Sequence, residues 1–80
     1  MRRDDLPDLL YRNLDELGGE ATVVEAAAWF WSRYDKELRN SGHLFYTWEF
    51  DLKKAAESLR RDHRMVEAFD CPENVWELVG

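Results

Sequence analysis

Five cations lie close together near the end of this 80-residue chain: Lys53, Lys54, Arg60, Arg61 and Arg64. Wound into a helix, they would present ammonium and guanidinium groups to phosphates, and to guanine edges if that helix entered a major groove. They are the candidate DNA-contacting residues. Other chemistry is sparse. His43 and His63 are the two histidines and Cys71 is the single cysteine. Their spacing does not suggest the three or four ligands of a metal site. No Ser-His-Asp or Cys-His set can be assembled and no glycine loop cradles a phosphate, so neither catalysis nor a cofactor is expected.

The charge is uneven. Acidic residues outnumber basic ones 17 to 11, for a net charge of −6. Between Lys53 and Arg64 the five cations face only Glu57 and Asp62, a local charge of +3, which leaves −9 for everything else. A nucleic-acid binder usually has a basic balance over the whole domain, so the global figure opposes DNA binding while the local one favours it. Eighty residues make one domain, spanning 1–80, and an apolar share of 45% can furnish its core. A lone cysteine makes no internal disulfide. The arginines of MRRDDLPD precede no signal-peptide run, and no stretch approaches the roughly 20 apolar residues of a membrane span. A small cytoplasmic protein without a membrane partner is expected.

Three helices and a hairpin must position these groups. Leu6, Leu9, Leu10, Leu14 and Leu17 predict a first helix over about Leu6–Leu17, capped by Asp5 and ended by Gly18-Gly19. Thr22 and Glu25 form a capping box for a second helix reaching about Arg39, with Val24, Ala27, Ala28, Trp31, Tyr34 and Leu38 inward. Glu20-Ala21-Thr22 before it suits a minimal strand. A loop is expected from Asn40 to Tyr46. A third helix then starts on Thr47 as N-cap, buries Trp48, Leu52, Ala55, Ala56 and Leu59, and carries the basic residues opposite. Met65–Phe69 and Val75–Val79 read as strands about a turn holding Pro72, with Trp76 and Leu78 inward. The order is that of a winged helix-turn-helix, an α+β fold.

The runs LDELGGEATVVEAAAWF and FYTWEFDLKKAAESLRRDHRMVEAFDCPENVWELV resemble the opening and closing patterns of the winged-helix domain at the N-terminus of Mrr-type restriction endonucleases. The likeness covers roughly Leu9 to Val79 and is shared more loosely with other small winged-helix domains. Family members carry a Gly-Leu turn after the third helix, where this chain has Arg61-Asp62-His63-Arg64. The resemblance implies a DNA-associated module. It also raises the question of a nuclease fragment, since Pro7-Asp8 and Asp51-Leu52-Lys53 superficially match a PD-(D/E)xK site. That chemistry needs its carboxylates and lysine on adjoining strand ends, and both pieces here fall on helices.

Two features argue against conventional docking. Recognition helices probe bases with their N-terminal residues, and here that turn carries Glu49 and Asp51. The wing turn offers Asp70 and Glu73 and nothing basic. Trp29 and Phe50 fall off their helical stripes and are candidate partner-binding residues, because Trp anchors interfaces well. The leading expectation is a non-catalytic, DNA-associated or transcription-regulatory module acting through helix three. The alternative is a protein-interaction or dimerisation domain of the same shape that binds no DNA. The expected partners are accordingly double-stranded DNA, a protein partner or a second copy of the chain.

Overall fold

Leu6, Leu10 and Leu14 recur every four residues, and burying that stripe fixes the first helix. In the computed structural model, which describes residues 1–79, α1 spans Leu6–Glu16 and buries all three completely. Asp5 does not cap it. The residue closes a 3₁₀ turn, Arg3–Asp5, and its carboxylate accepts from the Arg2 amide at 2.9 Å. Gly18 and Gly19 have φ of 93° and 95°, a region open to glycine, and the Gly19 amide donates to the Leu14 carbonyl at 2.8 Å to end the helix.

Strand β1, Glu20–Thr22, leads into α2, Val23–Arg39. The expected capping box is present: the Glu25 amide donates to the Thr22 hydroxyl at 3.0 Å, and the Thr22 amide to the Glu25 carboxylate at 3.1 Å. The buried face of α2 is turned by one residue from the expected one. Ala26, Phe30 and Leu38 are buried, Ala27, Trp31 and Tyr34 partly so, while Val24 and Ala28 face outward. The run from Val23 to Trp31 is apolar on two adjacent stripes, so periodicity alone fits either, and packing selects the one centred on Phe30. Asn13, buried in α1, donates its amide to the Ala26 carbonyl at 3.2 Å and ties the two helices together.

Helix α3 covers Leu44–Arg61 and starts three residues before the expected Thr47. Leu44 lies eight residues before Leu52 on the same face, and both are buried, so the core stripe draws the chain into the helix before Thr47. Thr47 is thus not an N-cap; its hydroxyl donates to the Asp51 carboxylate at 2.6 Å. The helix ends with His63 at φ 61°, and the Arg64 amide donates to the Leu59 carbonyl at 2.8 Å. A non-glycine residue thus closes the turn by the same backbone route.

The sheet joins distant segments. Strand β2, Val75–Glu77, runs antiparallel to β1 with Ala21 opposite Trp76. Met65 makes a single bridge to Leu78, and the Val66 amide donates to the Glu77 carbonyl at 2.8 Å. The expected strand Met65–Phe69 goes no further. Ala68–Asp70 instead forms a 3₁₀ turn, and Asn74 takes φ 62° to bring the chain back. Trp76 and Leu78 are buried, as their alternation predicts. The architecture is α+β: three helices and a small antiparallel sheet around one core.

Candidate nucleic-acid and partner interface

Burial of Leu44, Leu52, Ala55, Ala56 and Leu59 turns the opposite side of α3 outward. That outer face carries, in order, Tyr46, Glu49, Phe50, Lys53, Lys54, Glu57 and Arg61. Its first turns are aromatic and its last turns basic. Tyr46 is 82% and Phe50 63% exposed, four residues apart and so neighbours on the helix surface. Lys54 places its ammonium 5.3 Å from the Phe50 ring centre, linking the two halves by a cation–π contact.

The five expected cations do not form one patch. Lys53, Lys54 and Arg61 are exposed on α3. Arg60 folds back, its Nε donating to the Val66 carbonyl at 3.2 Å. Arg64 turns to α1, where its guanidinium lies 4.2 Å from the Tyr11 ring centre and 3.3 Å from the Asp8 carboxylate. Two of the five therefore brace the fold. The reason is geometric: both sit where the chain leaves α3, within reach of the segments that cross the helix end.

Asp51 does not stand among the surface acids of α3. It is 4% exposed and held by the Thr47 hydroxyl and by the Arg3 guanidinium at 3.2 Å. Its charge is compensated internally, and because α3 begins at Leu44 neither Asp51 nor Glu49 lies in the first turn, which holds no acid; the expected acidic helix start is not present. The turn between Met65 and Val75 keeps its acidic character, with Glu67, Asp70 and Glu73 all exposed and no cation from Met65 to Val79. Phe69 stands among them, 83% exposed.

A groove of about 400 Å³ opens between α2 and α3, lined by Val24, Ala28, Trp31, Trp48, Glu49 and Lys53 among others. Trp31 and Trp48 stack there at 5.6 Å between centres and 20° between planes. Trp29 is half-exposed on α2 and Phe50 exposed on α3. The sequence singled out both, but missed Tyr46, assigned to a loop, and Phe69, assigned to a strand. The four-residue spacing of Tyr46 and Phe50 was the available signal for the first.

Cys71 bonds weakly to the Val66 carbonyl. Burial, and then the Glu77 carboxylate, push its thiol above the ordinary value near 9.0, so it stays protonated and a poor nucleophile. Among the described residues, no three His, Cys, Asp or Glu side chains are placed to hold a metal ion, and no helix is long and apolar enough to cross a membrane. Comparison with protein-family models, curated proteins and solved structures gives no match. Function has to be argued from the chemistry of α3 and its surroundings.

Proposed function

We propose that this chain is a winged-helix module, without catalysis of its own, that docks double-stranded DNA along the outer face of α3. Helix, short strand, two helices and a closing β-bridge around an exposed turn are compatible with that fold. The observation that carries the DNA reading is the outward display of Lys53, Lys54 and Arg61 on one helix, free of the ion pairs that occupy Arg64. Phosphates are the complement of such a face, and the exposed Phe50 ring offers an apolar surface of the kind that packs on a thymine methyl. An acidic wing and Glu49 keep the affinity low and the orientation dependent on α3 alone.

Fluorescence anisotropy of a labelled random duplex tests this. Three phosphate contacts give a slope of about −2.7 for log K against log salt, or a loss of about 40-fold between 50 and 200 mM. No binding at 50 mM salt would overturn the proposal. A protein partner is the second candidate, favoured by the exposure of Tyr46 and Phe50 at the head of the same helix.

A further inference from the structure

Asp51 is the one charged residue buried among the described residues, and its cation comes from a different element. Arg3 stands on the 3₁₀ turn Arg3–Asp5, its side chain 69% exposed, and reaches the Asp51 carboxylate at 3.2 Å. The turn is held by the Asp5 amide on the Arg2 carbonyl at 3.0 Å and the Arg2 amide on the Asp5 carboxylate at 2.9 Å. Such a short, exposed turn opens at little cost compared with the helices. A nearer cation is already on α3. Lys54 lies three residues beyond Asp51, a spacing at which helical side chains meet, and both line one hollow with Arg3 and Asp4. Lys54 nevertheless makes no ion pair among the described residues. It is exposed, with its ammonium 5.3 Å from the Phe50 ring centre.

We propose that Arg3 is a latch that keeps Lys54 on the outer face of α3. With the N-terminal turn shut, Arg3 and the Thr47 hydroxyl satisfy Asp51, and Lys54 is left to the exposed face. With the turn open, Asp51 loses its cover and its guanidinium together, and Asp4 leaves with the turn. Lys54 then turns back to pair with Asp51. The consequence for the face is large because its balance is small. Lys53, Lys54 and Arg61 less Glu49 and Glu57 leave a charge of +1, and withdrawing Lys54 takes it to zero. Arg3 is thus a positioning residue, acting through Asp51 and Lys54. By linkage, a polyanion that holds Lys54 outward also favours the shut turn. That consequence rests on the duplex reading; the exchange of partners at Asp51 does not.

Thermal melts of the free protein test the exchange, and duplex titrations test its consequence. Lys54→Ala is expected to lower Tm by about 2 °C or more beyond its cost in the parent when it is made in the Arg3→Ala chain. Asp51→Asn, which removes the charge that Lys54 seeks, abolishes that difference. Where Arg3→Ala does not fold, Arg3→Gln takes its place, keeping a donor to Asp51 without the charge. In titrations, Arg3→Ala flattens the salt slope by about 0.9, as Lys54→Ala does. The two changes together flatten it no further, and adding Asp51→Asn to Arg3→Ala restores it. Equal costs of Lys54→Ala in the parent and in the Arg3 variant overturn the latch. A slope that Arg3→Ala flattens even in the Asp51→Asn chain also overturns it, because Arg3 then meets phosphate itself. If no duplex binds at 50 mM salt, the duplex reading falls and the melts alone decide the latch.

Discussion

Arg60 and Arg61 are adjacent in sequence and opposite in expected role, so substituting each separately tests the division of the basic helix into bracing and binding residues. Arg60 donates to the Val66 carbonyl at 3.2 Å and lies half-buried against the wing base. A hydrogen bond from a charged donor is worth about 1.5–3 kcal/mol, and partial exposure places Arg60→Ala near the lower end, about 1.5 kcal/mol. In a chain of this size that lowers Tm by about 6–12 °C. Arg61→Ala removes no intramolecular partner and stays within about 0.5 kcal/mol of the parent. Binding reverses the order. Arg61→Ala flattens the salt slope by about 0.9, whereas Arg60→Ala leaves it unchanged. Thermal melts followed by circular dichroism, paired with duplex titrations at several salt concentrations, supply both readouts. If Arg60→Ala is thermally silent and flattens the slope, the folded-back contact is not what occupies Arg60 and the division fails.

The buried Asp51 gives a second expectation. Thr47→Val keeps the side-chain volume but removes the hydroxyl donor to a carboxylate that is almost wholly out of water, costing about 2 kcal/mol in urea unfolding; a change under 0.5 kcal/mol would show that Arg3 alone suffices. The capping box gives a third. Thr22→Ala costs about 1 kcal/mol at neutral pH, measured by the same denaturation. Hydrogen bonds from the Thr22 amide and side chain hold Glu25 below its ordinary value near 4.5. That contribution is present above 4.5 and is lost as pH falls through the lower folded value; the amide donor persists in Thr22→Ala, so only the smaller side-chain share of it leaves the gap between parent and variant in acid. A gap that widens from pH 7 to pH 3 would contradict the reciprocal box.

Short-range signals in the first two helices stand, apart from the cap expected at Asp5. The capping box, the paired glycines and the leucine stripe of α1 all depend on residues within four positions of one another, and each stands where it was expected. Where two local solutions were equally apolar, the sequence could not choose. In α2 the inward face turned by one residue because Phe30, not its neighbours, fills the core. At α3 a plausible cap at Thr47 lost to the burial of Leu44 three residues earlier. The expected strand to Phe69 failed for a related reason: a ladder needs a partner along its length, and only Met65 and Val66 have one.

The site was harder to read because a charge reveals its type in sequence but not its partner. Arg64 and Asp8 lie 56 positions apart, and no window along the chain brings them together; the return of the chain at the end of α3 does. The same holds for Arg3 and Asp51, which removes one carboxylate from the surface in the middle of α3. Folding thus took two cations and one anion out of the apparent binding face. The face that remains has Tyr46 and Phe50 at its head and Lys53, Lys54 and Arg61 behind them. Glu49 and Glu57 stand exposed among those three cations, so the face is positive by one charge, not three, and any phosphate contact there depends on how far Lys53, Lys54 and Arg61 reach beyond the two carboxylates.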